Sequence, residues 1–147
     1  MTFRDLNLKK PLWNALEDLG YETPTTIQAS GFNVMMSGAD TIGIAQTGTG
    51  KTLAYLLPCL CMWKFSKEPH PQILILVPTR ELVAQVVSEV ERLTPYMNVA
   101  VGGVYGGTNW GDTRLAVAGT YARQDNASTR TVAFGNFTEE LSADYAS

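Results

Sequence analysis

Eight consecutive residues, Ala45-Gln46-Thr47-Gly48-Thr49-Gly50-Lys51-Thr52, place two glycines, a lysine and several hydroxyls where they can converge on an anion. Gly48 and Gly50 let the backbone turn closely enough for successive N–H groups to point at one phosphate group. A helix opening at this point adds the partial positive charge of its N-terminus. Lys51 has the reach and charge to meet the β- and γ-phosphates of a nucleotide, and the Thr52 hydroxyl is suited to bind Mg²⁺. Lys51 and Thr52 are therefore the candidate catalytic residues, and Thr52 the candidate metal ligand. Gln46, Thr47, Gly48, Thr49 and Gly50 complete the candidate cradle. The general pattern begins with glycine; Ala45 is small enough to serve in its place.

Such a loop works only if a strand delivers it and a helix follows it directly. Asp40 to Ala45 reads as a short buried strand, and the apolar stretch from about Gly50 to Trp63 as the helix. Upstream, Leu8, Leu12, Ala15, Leu16 and Leu19 recur at helical spacing, with Pro11 near the start and Gly20 just past the end. Thr25 is placed to cap a second helix over Thr26 to Met36. Downstream, Ile73 to Val77 is an unbroken apolar run, the mark of a strand covered on both faces. Pro78-Thr79-Arg80 leads into a helix whose apolar stripe is Leu82, Val83, Val86, Val87, Val90 and Leu93. Asn98 to Tyr105 is again strand-like and closes at Gly106-Gly107. Alternating strands and helices imply an α/β fold, a parallel sheet with right-handed crossovers and flanking helices.

Beyond Thr108 the composition changes to Ala, Thr, Gly, Asp and Asn, with no run matching the earlier strands. Thr131 to Phe134 is a candidate short strand, Thr138 to Tyr145 a weak helix, and Leu115 to Ala118 an echo of a helix. The expected division is a nucleotide-binding unit over residues 1–107 and a divergent tail over 108–147.

The 147 residues suit one domain, and 11 basic against 14 acidic residues leave a formal charge of -3. Bulk charge therefore gives no nucleic-acid footprint, and any such contact must come from local loops and helix ends. The longest apolar run, Leu53 to Trp63, is broken by Pro58 and is too short for a bilayer, which needs roughly 20 residues. No signal peptide is seen. Cys59 and Cys61, two apart on a helix, point to different sides, so they read as free small hydrophobes suited to a reducing cytoplasm. His70 between two prolines reads as a solvated loop residue. Trp110 reads as a core anchor before a base-stacking surface, and Glu139-Glu140 as a solvated pair. No feature sets an oligomeric state.

Further segments fall in an order that resembles the DEAD-box RNA helicases. Gly20-Tyr21-Glu22-Thr23-Pro24-Thr25-Thr26-Ile27-Gln28 is similar to their Q motif, with Phe3 as the isolated aromatic 17 residues upstream of Gly20. Ala45 to Thr52 is similar to motif I, Pro78 to Leu82 with Gln85 to motif Ia, and Tyr105-Gly106-Gly107 to the GG element. The resemblance covers about residues 1–107 and implies part of a RecA-like P-loop domain that binds ATP or ADP with Mg²⁺. By the same resemblance Gln28 meets the edge of adenine, with a side-chain amide that donates and accepts at once. Thr23 joins the nucleotide set, and either Phe3 or Tyr21 lies against the base. Pro78, Thr79, Arg80, Gly106 and Gly107 would hold an RNA backbone without reading bases.

The family's later elements, Thr-Pro-Gly-Arg, Asp-Glu-Ala-Asp and Ser-Ala-Thr, do not occur in these residues. In the family they supply the carboxylate for Mg²⁺ and the group that orients water, and a second domain supplies an arginine. The expectation is a truncated or spliced frame that binds nucleotide with little hydrolysis. Two alternatives are a non-catalytic ATP/ADP- and RNA-binding module and an unrelated P-loop enzyme such as a small kinase. The latter has no use for Gln28 or Pro78-Thr79-Arg80.

Overall fold

The structure, a computed structural model, describes residues 1–67, 71–105, 116–120 and 133–134. After a 3-10 turn at Phe3–Asp5 come α1 (Lys10–Asp18), α2 (Thr26–Met36), β1 (Ile42–Gly43), α3 (Lys51–Met62), β2 (Ile73–Val77), α4 (Arg80–Leu93), β3 (Gly102–Tyr105), β4 (Ala116–Thr120) and β5 (Ala133–Phe134). The expected order of helices and strands is present, with β1 and β3 shorter than the apolar runs that announced them.

Each helix forms for a local reason. Pro11 sits in the first turn of α1, where a missing N–H costs nothing. The helix ends in a Schellman motif: Gly20 N donates to Glu17 O at 3.0 Å and Tyr21 N to Leu16 O at 2.9 Å. That cap aims the chain into the Tyr21–Thr25 stretch. In α4 the Thr79 hydroxyl accepts from Leu82 N at 3.2 Å, and Glu81 in the first turn complements the helix dipole.

Leu12 and Leu16 of α1, Phe32 of α2, Leu53, Leu56, Leu57 and Leu60 of α3, and Val86, Val90 and Leu93 of α4 pack into one core. Ile73, Ile75 and Val77 of β2 close it from the sheet side. Gly103 of β3 is needed there: a Cβ would stand 2.9 Å from Val83 and 3.2 Å from Val87, so glycine lets α4 lie close to the sheet.

The sheet corrects three expectations. It is not all parallel. β4 lies between β2 and β3 and runs antiparallel to both, with Ile75 opposite Ala118 and Val104 opposite Val117. β2 and β3 thus share a direction, as a strand–helix–strand unit requires, but they are not neighbours. The segment from Tyr105 to Ala116 is shorter than the dozen or so residues of a parallel crossover, so the chain returns antiparallel. β1 pairs instead with β5, in parallel.

Second, residues 116–118 form strand where a helix echo was expected, and the tail does supply a strand. The run Ala-Val-Ala-Gly-Thr is small and period-free, and pairing between two existing strands decides its conformation. Third, β2 is covered on one face among the described residues, with Leu74 and Leu76 61% and 54% exposed. Ile42 and Ile44, expected in a buried strand, are also exposed. All four helices build the core on the Ile73–Ile75–Val77 side. The short strand expected at Thr131–Phe134 is present as Ala133–Phe134. Cys59 and Cys61 are free. No helix among the described residues is long and apolar enough to cross a membrane.

Candidate nucleotide site

The glycine-rich segment forms a compact turn between β1 and α3, not an extended strand. Gly48 and Gly50 both take φ of +80°, the left-handed region that L side chains avoid. Gly50 is the N-cap of α3, so the helix begins directly behind the turn with no side chain closing its end. The Thr49 hydroxyl donates to Gln46 O at 2.7 Å and tightens the turn. Lys51 reaches back across it, its Nζ donating to Ala45 O at 2.7 Å. Gln46, Thr47 and Gly48 remain exposed. Main-chain N–H groups, a helix start and an ammonium therefore meet at one place, which is what a di- or triphosphate needs.

Gln28 is drawn to the same place. It is 5% exposed and uses both ends of its amide: Oε1 accepts from Thr25 N at 2.9 Å, and Nε2 donates to Gly50 O at 3.1 Å. The first bond is the N-terminal cap of α2; the second ties α2 to the phosphate loop. A solvated helix-surface amide is excluded. Each end of the amide keeps one further hydrogen-bonding position, a lone pair on Oε1 and an N–H on Nε2.

The two aromatics separate. Phe3 is 1% exposed and packed in the core, with its N–H donating to Glu22 O at 3.1 Å. Its ring is packed into the core in this conformation. Its burial follows from the backbone bond that docks the 3-10 turn against the Tyr21–Thr25 stretch. Tyr21 is half-buried, at the core's edge. Thr23 is exposed in the same stretch.

Thr52 is half-buried in the first turn of α3. With Ala84, Gln85, Ser88 and Glu89 it lines a cleft of about 510 Å³ between α3 and α4. The sequence offered no sign of this cleft, because Glu89 reaches it only through the packing of α4. Among the described residues no cluster of three or more His, Cys, Asp or Glu could hold a metal ion. Pro78, Thr79 and Arg80 are all exposed at the start of α4. Gly106, Gly107, His70, Trp110, Glu139 and Glu140, and the helix expected over Thr138 to Tyr145, lie outside the described residues.

Behind the loop, burial in α3 pushes the Tyr55 phenol up to about 12 and the Cys59 thiol up to about 11. Both are acids that the fold keeps neutral, against ordinary values of 10.0 and 9.0. Above those ordinary values the unfolded chain releases protons that the folded chain retains. The associated stability is present below about pH 9 and is lost as pH rises through about 11 and then about 12. Urea unfolding is expected to show this alkaline decline, with its first part reduced in Cys59→Ala, the Cys61 thiol, also pushed up by burial, keeping the rest. A free energy unchanged between about pH 8 and pH 11 would overturn it.

Residues 25–129 match the model of the DEAD/DEAH box helicases. The chain belongs to this helicase family. The match runs past Gly107, the last of the family-like motifs. Among its DEAD-box relatives, the ATP-dependent RNA helicase DeaD of Escherichia coli K12 is 45% identical over 113 residues, covering 74% of this chain and 17% of that protein. The protein of the same name from Mycobacterium tuberculosis is 43% identical over 110 residues, covering 74% of this chain and 19% of that one.

Solved structures agree. A DEAD box protein from Methanococcus jannaschii superposes with a TM-score of 0.66 at 34% identity, over 74% of this chain and 30% of that one. The RNA helicase Prp28 from Chaetomium thermophilum, bound to ADP, gives 0.60 at 36% identity, over 71% and 26%. The chain thus spans less than a fifth of these curated relatives' length. Its α/β layout is that of part of a DEAD-box RecA-like domain.

Proposed function

We propose that residues 1–107 bind ATP or ADP as the nucleotide-gripping part of an ATP-dependent RNA helicase. One observation carries the reading: the Gly48–Gly50 turn opens directly into α3, with Lys51 folded across it and Gln28 tied to Gly50 O. An anion entering the turn meets the loop N–H groups and competes with Ala45 O for the Lys51 ammonium. Gln28 would read the adenine edge as donor and acceptor, Tyr21 would lie against the base, and Thr23 would border it. Because the Gln28 amide also touches Gly50, occupation of the base site and the shape of the phosphate loop change together.

A magnesium ion fits the Thr52 hydroxyl, half-buried at the start of α3, in the role of neutralising β- and γ-phosphate charge. RNA backbone contact is assigned to Pro78, Thr79 and Arg80, with Gly106 and Gly107 beyond them, and reads no bases. For the whole protein the activity is RNA unwinding or remodelling in a reducing cytoplasm, consistent with the free cysteines. For these 147 residues as they stand we propose nucleotide binding with little hydrolysis, because the sequence contains no Asp-Glu-Ala-Asp or Ser-Ala-Thr element to hold Mg²⁺ and orient water.

Calorimetric titration with ATP, ADP and GTP tests the base assignment. ADP and ATP are expected to bind about tenfold more tightly than GTP, the worth of one or two good hydrogen bonds. Equal affinities would remove Gln28 from base recognition. Turnover with RNA at the rate of a complete helicase would refute the claim of weak hydrolysis.

A further inference from the structure

The chain carries a formal charge of -3, yet four of its five lysines, Lys9, Lys10, Lys64 and Lys67, lie in two short segments that the fold brings together. Lys9, the N-cap of α1, donates from its ammonium to Trp63 O at the end of α3, 54 positions away. Lys64 follows directly, and the Gln72 side chain clasps its backbone: Lys64 N donates to Oε1 at 3.3 Å and Nε2 donates to Lys64 O at 2.7 Å. All four lysines are exposed. Residues 6–16 and 41–67 include no acid, and among the described residues none of the four ammoniums pairs with a carboxylate. Glu68, next to Lys67, lies outside the described residues. Phe65, 59% exposed, stands between Lys64 and Lys67.

We propose that this lysine cluster, with Phe65, is a further surface for single-stranded RNA. Ammoniums without carboxylate partners attract phosphates, and they hold a backbone without reading its bases. An aromatic ring left in water among cations is a platform on which any base can stack. A single phenylalanine offers little apolar surface for insertion into a bilayer, whereas one stacked base needs no more than one ring. Lys9 also serves the α3 terminus; for Lys10, Lys64 and Lys67 the structure gives no side-chain partner among the described residues. The surface is distinct from the two sites assigned above. The 12 residues of α3 set it about 18 Å from the phosphate loop, and β2 carries the chain about 17 Å from Gln72 towards Pro78.

Binding of the full 147-residue chain to a fluorescein-labelled oligouridylate of about 12 nucleotides is followed by anisotropy over a range of KCl concentrations. A triple variant, Lys10→Gln with Lys64→Gln and Lys67→Gln, keeps Lys9 and the α3 end, so it is expected to melt like the unaltered chain. Its affinity at low salt is expected to fall about a hundredfold, and the slope of log K against log salt by about 2, at roughly 0.7 per phosphate contact. Phe65→Ala is expected to lose about tenfold with the slope unchanged. Both effects should persist in an Arg80→Gln background, which removes the contact assigned at the start of α4. An unchanged slope in the triple variant, full affinity in Phe65→Ala, or disappearance of both effects with Arg80→Gln overturns the proposal. So does tighter binding to vesicles of phosphatidylcholine and phosphatidylserine than to the RNA, or no RNA binding by the unaltered chain.

Discussion

Lys51→Ala is expected to weaken ADP binding about a hundredfold while leaving the fold intact. The ammonium folds across the Gly48–Gly50 turn, held by Ala45 O at 2.7 Å. When a polyphosphate arrives, the same Nζ is the group that neutralises it at hydrogen-bond distance. Removing one partner of a close, partly desolvated charge pair costs roughly 2–5 kcal/mol, from about thirtyfold upward in affinity. The fold loses only one hydrogen bond from side chain to backbone, about 1 kcal/mol. Calorimetry gives the affinity and circular dichroism the melting curve. An affinity within threefold of the unaltered chain would show that phosphates do not sit on this loop.

Gly50→Ala is the second large effect, and it strikes stability as well as binding. Alanine at φ of +80° costs roughly 1–2 kcal/mol, the left-handed penalty. A Cβ at this position would also stand 2.3 Å from Gln28 Nε2 and 3.5 Å from the Thr25 methyl. The end of a glutamine side chain normally gives way cheaply. Gln28 does not, because it is buried and bonded at both ends, so its displacement loses the bonds to Gly50 O and Thr25 N together.

Those losses add about 1–2 kcal/mol, for a total of about 2–4 kcal/mol and a melting point lower by roughly 10 °C. Gly48→Ala separates the two parts. It has the same φ and nothing within 4 Å of the added Cβ, so it should show the backbone penalty alone. Thermal melts of the two variants side by side make the comparison. Equal destabilisation would mean that the Gln28–Gly50 contact carries no energy.

The local features were legible because they depend on near neighbours in the chain. Gly48, Gly50, Lys51 and Thr52 lie within one turn, and a turn's φ angles and a helix start are set over a few residues. The α1 stop at Gly20 and the α4 start at Thr79 were visible for the same reason. Ordered motifs were enough to identify the family. Gln28 was singled out as well, though not its second bond to a residue 22 positions away.

What escaped the residues read in order depends on partners distant in sequence. A continuous apolar strand shows only that both faces can be buried; the helices here cover one face of β2 and leave Leu74 and Leu76 exposed. Whether β2 and β3 pair directly is settled by the strand that enters between them, and β4 has too plain a composition to announce itself. Phe3 and Tyr21 are both aromatic, and only packing places one in the core and leaves the other at its edge. Short-range geometry is written into neighbouring residues, whereas the choice of partner across the fold follows from which surfaces can be buried together.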